Sequence, residues 1–245
     1  MNTINTYSIY QEMAESYNSR IDTKPHNAYY DRPNTLSLLP DVKNKIALDV
    51  GCGPGKYTEA LLERGARVIA VDFSDKMINH ARNRIGEKAT FHIHDMNKPF
   101  SFVEDQTIDI VLSALVFEYL YDWNPPLKEF HRMLKPKGIV ILSIQHPFND
   151  YRYFRSDNYF EIEKVGCTWK GFDKPYYVEC YRRSLNDVFS PITNNGFLIE
   201  KILEPKPVEE FRHIDKTEFE SLNKFPIFLC IKALKYPTYI DKSDQ

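Results

Sequence analysis

Gly51, Gly53 and Gly55 stand at every second position in the run Leu48-Asp49-Val50-Gly51-Cys52-Gly53-Pro54-Gly55. The flanks of this run constrain the fold more than the glycines do. Ile46 to Val50 is apolar and reads as a short buried strand, and Lys56 to Arg64 reads as a helix. Val68-Ile69-Ala70-Val71 reads as a second strand and ends in Asp72. Strand, glycine turn, helix, strand and acid form a nucleoside-binding α/β unit. Positions without a side chain let the main chain approach a ligand, and the acid can accept hydrogen bonds from two ribose hydroxyls.

The spacing discriminates between nucleosides. A dinucleotide site calls for G-x-G-x-x-G, whose third glycine packs helix on strand. Here Lys56 holds that slot and Gly55 falls one residue early, which argues against NAD. The Asp-x-Gly-x-Gly-x-Gly form, with an acid closing the next strand, resembles motif I of the class I S-adenosylmethionine-dependent methyltransferases. Four further segments resemble that family in order. They are Asp72-Phe73-Ser74-x-x-Met77, Asp95-Met96 after Thr90-Phe91-His92-Ile93, Asp109-Ile110-Val111-Leu112-Ser113-Ala114, and Met133-Leu134-Lys135-Pro136-Lys137-Gly138. The resemblance covers about residues 45 to 145. It implies S-adenosylmethionine as cofactor, with Gly51, Cys52, Gly53, Gly55 and Ala114 near it. Asp72 would bind the ribose, Asp95 the adenine edge, and Phe73, Met77 and Met96 the ring faces. Tyr10-x-x-Met13-Ala14-x-x-Tyr17 resembles the family's amino-terminal segment, which implies Tyr17 over the cofactor.

Strands are expected at 46–50, 67–71, 90–94, 108–113 and 139–145, with helices at 56–64, 75–85 and 125–135. Ser74 is suited to cap the second helix and Gly86 to stop it. Such alternation predicts a Rossmann-like, mostly parallel α/β sheet with helices on both faces. The resemblance implies seven strands, the last two from 197–203 and 227–234. In such sheets ligands sit outside the carboxyl ends of the strands, where Gly51 to Gly55, Asp72, Asp95 and Ala114 all fall.

The pattern breaks near Pro147. Residues 148 to 183 hold eleven aromatic residues, roughly twice the chain's 14% share. Tyr159 to Val165 and Tyr176 to Tyr181 alternate, which predicts a β hairpin inserted after the fifth strand. Expected organisation is an N-terminal helical cap at 1–44, a cofactor-binding core at 45–147 and 184–236, a substrate lid at 148–183, and a flexible tail at 237–245. A homodimer interface is the alternative use of the aromatic segment.

Composition narrows the partners. With 32 Lys+Arg against 34 Asp+Glu the net charge is -2, which offers no general attraction to nucleic acid or an anionic membrane. Apolar runs are strand-length, so no membrane span is expected. Met1 to Thr6 lacks a secretion signal's basic and apolar regions. Cys52, Cys167, Cys180 and Cys230 include no C-x-x-C pair, so no metal site and a reduced, cytoplasmic setting are expected. A Cys167–Cys180 disulfide is the less favoured alternative.

Methyl transfer from a sulfonium is an in-line displacement. Positioning alone can supply about 7–11 kcal/mol, and a base is needed only when the nucleophile arrives protonated. His146, after the fifth strand, is the leading acid–base candidate; the alternative, which its context favours, is that it orders the start of the lid. Glu118 is the second candidate; it stands where related sequences often carry histidine. His26, His80, His92, His94, His131 and His213 read as structural or exposed. Asn124-Pro125-Pro126-Leu127 mimics a motif of DNA amino-methyltransferases, but it lies about ten residues too late, and an Asn N-cap with Pro at the first helical position explains it. The pair of segments His146-Pro147-Phe148 and Tyr177-x-x-x-Tyr181-Arg182-Arg183-Ser184-Leu185 resembles a subgroup of methyltransferases acting on small molecules. The expected acceptor is therefore a small aromatic or apolar molecule. A nucleic-acid methyltransferase and a non-catalytic cofactor-binding protein are the alternatives.

Overall fold

The computed structural model describes residues 6–236. The expected tail at 237–245 and most of the segment Met1 to Thr6 lie outside them. Helix α1 (Thr6–Arg20), a π-helical turn (Asn27–Asp31) and α2 (Arg32–Ser37) precede the first strand. The glycine-bearing half follows as β1 (Ile46–Val50), α3 (Lys56–Glu63), β2 (Arg67–Asp72), α4 (Asp75–Ile85), β3 (Ala89–Ile93) and β4 (Ile108–Ala114). Next come α5 (Asn124–Met133), β5 (Leu134–Gln145), α6 (Pro147–Tyr153), β6 (Glu163–Trp169) and β7 (Tyr176–Arg182). The chain closes with α7 (Leu185–Asn194), β8 (Phe197–Leu203), α8 (Glu209–Ile214), α9 (Lys216–Leu222) and β9 (Phe228–Lys235).

Seven strands form one sheet in the order β3-β2-β1-β4-β5-β9-β8. The pairs among β1 to β5 are parallel, and β9 runs antiparallel to both its neighbours. This is the Rossmann-like methyltransferase sheet that the sequence predicts. The strand order reverses between β1 and β4, and at such a reversal the connecting segments diverge and leave a crevice.

Consecutive strand residues point to opposite faces. Leu48, Val111, Val140 and Leu142 join one apolar cluster, whereas Ala47, Ile110, Ile139 and Ile141 join the other. Both faces are therefore buried, and helices cover both. Ser74 caps α4, its hydroxyl accepting from the Met77 N–H, and Gly86 ends it at φ +66°.

Three expectations need correction. The first hairpin strand is Glu163–Trp169, four residues later than the alternation at 159–165 indicates. Arg182 is the cause, since its guanidinium donates to the carbonyls of Asn158 and Tyr159 and to Glu163 Oε2, so 158–159 cannot enter a ladder. In the resulting register Cys167 faces Val178 and Cys180 faces Val165, and all four cysteines are free. Asn124 is not the cap of α5; it sits inside the helix, and Asp122 Oδ1 accepts from its backbone N–H at 2.9 Å. That helix stops at Met133 because Leu134 already pairs with Ile108.

Phe130 of α5 is fully buried, its ring centroid 6.2 Å from Phe100 and 6.0 Å from Phe117. Phe130→Ala should cost about 3–5 kcal/mol of unfolding free energy, read from urea denaturation. A loss under about 1 kcal/mol would show that this cluster does not carry the sheet face.

Candidate active site at the carboxyl ends of the strands

Asp72 closes β2 and is buried. Its Oδ2 accepts the Gly53 N–H at 2.9 Å and its Oδ1 accepts the Ser74 N–H at 2.9 Å. A carboxylate offers about four lone-pair sites, so capacity remains for outside donors. Burial pushes its pKa up to about 6, against the pull of those two donors and of the nearby Phe73 N–H. The N–H groups of Gly51 and Cys52 donate to the Val71 carbonyl, which fixes the glycine turn against the end of β2.

The three glycines do different work. All have positive φ, +73°, +53° and +88° for Gly51, Gly53 and Gly55. A Cβ on Gly51 would lie 2.3 Å from Val116 Cγ2. Leu115, just past β4, adopts φ +55° and precedes this valine. Strained φ at a non-glycine residue persists where surrounding structure imposes it. A Cβ on Gly53 would meet nothing within 4 Å, so its space is open to a ligand. Gly55 touches neither cavity described below; a Cβ there would press on Ala81 of α4 at 3.2 Å. Its role is helix packing, a correction to its expected place at the cofactor.

Two cavities open from this point. One, of about 750 Å³, is lined by Val50, Asp72, Phe73, Asp95, Met96 and Asn97, with His94 and Tyr121 nearby. The other, of about 420 Å³, is lined by Tyr10, Tyr17, Cys52, Gly53, Ala114 and Glu118, and by Trp169 and Phe172 of the hairpin region. Gly51, Asp72, Phe73, Val116 and Tyr119 line both. Asp95 Oδ1 accepts from the Asn97 backbone and side chain, which orients the carboxylate at the rim. Tyr17 stacks on Phe172 with centroids 6.0 Å apart, and the Tyr10 and Tyr119 hydroxyls share a 2.9 Å hydrogen bond. Lys24 places its ammonium 4.7 Å from the Trp169 ring centroid, 4.8 Å from Phe172 and 5.3 Å from Tyr17, and burial pushes its pKa down to about 8.

Glu118 is buried in a short 3-10 turn beyond β4. Desolvation pushes its pKa up to about 8, and its Oε2 makes no hydrogen bond to the protein. His146 does not reach either cavity. Its Nδ1 accepts the Phe148 N–H as the cap of α6, and its Nε2 lies 3.0 Å from Glu204 Oε1. Both ring nitrogens are engaged away from the site, so the expected catalytic role is corrected to helix capping. Met77 is likewise corrected: it is fully buried under α4 and lines neither cavity.

Sequence reasoning missed Asp31, Arg32 and Tyr57, which also line the smaller cavity. Asp31 is buried and accepts from the Tyr57 hydroxyl at 2.5 Å and from Thr35 Oγ1 at 3.1 Å. Arg32 donates to the Ile21 carbonyl while its Nε makes no hydrogen bond to the protein. A polar Asp-Arg pair between two tyrosines and a proline was the available signal.

The donor set fits S-adenosylmethionine. Asp72 has acceptor capacity left for ribose hydroxyls, Gly53 leaves an open cradle, and Asp95 and Met96 line the larger cavity together with Asp72. Residues 48–142 match the family model described as "Methyltransferase domain". An uncharacterized protein of Haemophilus influenzae is 28% identical over 94% of both chains. Phosphoethanolamine N-methyltransferase 1 of Triticum aestivum is 32% identical over 46% of this chain, but the match spans only 24% of that protein. A crystal structure from Listeria monocytogenes, provisionally described as an S-adenosylmethionine dependent methyltransferase, superposes with a TM-score of 0.73. It is 25% identical, and 84% of this chain and 96% of that one are covered. Residues 48–142 form a methyltransferase domain of the S-adenosylmethionine-dependent kind, and S-adenosylmethionine is its cofactor. Among the described residues no helix is long and apolar enough to cross a membrane, and no group of His, Cys, Asp and Glu is placed to hold a metal.

Two outcomes test this geometry. Gly51→Ala should lose at least about 1 kcal/mol more unfolding free energy than Gly53→Ala, because only the first collides with Val116. Gly53→Ala should instead weaken S-adenosylhomocysteine binding in calorimetry. Equal stability losses would contradict the assigned roles. The second test uses pH. The folded pKa of Asp72, about 6, exceeds the unfolded value of about 3.9. Its contribution to the free protein's stability is therefore present below about pH 4 and lost as pH rises through about 6. Ribose hydroxyls would donate to the ionised form, so the Tm increment given by S-adenosylhomocysteine should be larger at about pH 7 than at about pH 5. A pH-independent increment would remove Asp72 from the ribose.

Proposed function

We propose that this enzyme methylates a small-molecule acceptor held in the smaller, aromatic-lined cavity, with the cofactor's nucleoside in the larger one. The shared wall of the two cavities is the observation that carries this reading. A ligand extended along it passes Asp72 and Gly51 and brings its far end under Tyr17, Trp169 and Phe172. Bound S-adenosylmethionine supplies an activated methyl on a positively charged sulfur.

The protein's part is to orient and to exclude water. Asp72 holds the ribose, Asp95 the adenine edge, and Phe73 and Met96 flank the ring. Cys52, Gly53 and Ala114 border the methionine portion, and Tyr17 covers it. Residues 6–44 and 148–183 act as cap and lid over the acceptor. Glu118 takes the acceptor's proton where one must leave. Aromatic walls favour a flat or apolar acceptor or one carrying a cation. The wheat relative named above is, by its name, a methyltransferase for one small molecule, phosphoethanolamine, which supports the acceptor class without naming it.

Titration calorimetry with S-adenosylhomocysteine should show saturable binding, and Asp72→Ala should weaken it at least about tenfold, equivalent to about 1.4 kcal/mol. A panel of phenols, alcohols, amines and carboxylic acids, read by S-adenosylhomocysteine release, should contain an acceptor. Methylation confined to RNA, DNA or protein would contradict the small-molecule reading.

A further inference from the structure

A third, very small cavity of about 10 Å³ is lined by Glu118, Asp150 and Arg183 among others. That is about the space one water occupies. Each of these three residues is at least 95% buried. Each also presents an atom with no hydrogen bond to the protein: Glu118 Oε2, Asp150 Oδ1 and Arg183 Nε. Buried polar atoms without partners are costly, and a water with two to four polar neighbours is the usual remedy. Glu118 lines both this cavity and the acceptor cavity.

We propose that Glu118 and Asp150, bridged by one bound water and by Arg183, form a proton-accepting pair for an acceptor whose reacting atom arrives protonated. The identity of that acceptor rests on the function proposed above; the pair itself is a property of the free protein. Glu118 is the catalytic residue, and Asp150 is a positioning residue that acts through it.

The geometry supports each part. Arg183 is pinned by donating to the carbonyls of Leu120 and Tyr121, and its guanidinium carbon lies 4.5 Å from the Trp123 ring centroid. Its Nε is buried without a partner. Asp150 sits in the first turn of α6, which His146 caps, so the histidine fixes the second acid without touching the acceptor. Glu118 feels Asp150, Asp31 and Arg183, and in turn acts on Tyr10, Tyr17 and Tyr119. Asp150 feels Arg182 and acts on Cys167 and Cys180. Burial raises both carboxyls, Glu118 to about 8 and Asp150 to about 7. Near neutrality one of the two can hold a proton while the other is a free carboxylate.

The step balances simply. The acceptor atom forms its bond to the methyl carbon as the carbon–sulfur bond breaks, and sulfur keeps that electron pair. The acceptor's proton passes to Glu118 as the proton Glu118 holds near neutrality moves through the bridging water to the Asp150 carboxylate. Both carboxyls are then neutral, and one proton returns to solvent when product leaves. An acceptor hydroxyl, protonated amine or acidic C–H suits this device; a thioether or tertiary amine has no proton to give.

Carbon-13 NMR of the side-chain carboxyls, in protein saturated with S-adenosylhomocysteine, tests the pair directly. In the wild-type protein Glu118 and Asp150 should titrate together in two steps. Asp150→Asn should collapse the Glu118 curve to one step, with its midpoint lowered by about one pH unit or more. Glu118→Gln should do the same to Asp150. A Glu118 curve identical in wild type and Asp150→Asn would overturn the proposal. So would a high-resolution wild-type crystal structure with no water between Glu118 Oε2 and Asp150 Oδ1, an outcome that needs no variant. Affinity for S-adenosylhomocysteine in the same samples reports on the cofactor site alone, so loss of one result leaves the other standing.

Discussion

The buried carboxylate of Asp72 is the contact on which the rest of the site depends. It takes backbone donors from both Gly53 and Ser74. The first bond ties the turn after β1 to the end of β2, and the second opens α4. Gly51 then packs under Val116, just past the end of β4 on the other side of the sheet reversal. Three strand ends are thereby drawn to one point. Desolvation holds the acid near neutrality in the free protein, so it is poised for donors that only a ligand brings.

The two cavities follow from that convergence. Strands β1 and β4 adjoin where the connections diverge, and the crevice there is divided rather than closed by Gly51, Asp72 and Val116. Segments outside the seven-stranded sheet cover one side. Lys24 links them, since a single ammonium faces rings from α1 and from the hairpin region. Such contacts contribute about 0.5–2 kcal/mol.

Much of this was legible in the sequence because it is set locally. Alternation and helix caps predicted the sheet and its helices, and put Asp72 and Asp95 at strand ends. What failed was set by distant partners. Gly55 looked like a ligand glycine, but its neighbour is Ala81, a residue on another helix. Met77 stood in a segment that suits adenine, yet the helical phase turns it into the core. His146 ended a strand at the right edge, but the Glu204 carboxylate and the Phe148 N–H hold its ring elsewhere. Tyr159 began an alternating run whose carbonyl Arg182 claims from 23 residues away. Asp31 showed only its place in Tyr29-Tyr30-Asp31-Arg32-Pro33 and Asp150 gave no pattern, because their importance lies in burial beside groups far along the chain. Helices α8 and α9 have six and seven residues, too short for periodicity to register.

Every functional statement rests on the nucleoside lying across the tips of β1 and β2. The most direct measurement is a crystal structure of the enzyme soaked with S-adenosylhomocysteine. The predicted result has both ribose hydroxyls on Asp72, adenine between Phe73 and Met96, and sulfur directed at the cavity under Tyr17 and Glu118. Ribose bound away from Asp72, or adenine seated beneath the Trp169 and Phe172 rings, would contradict it.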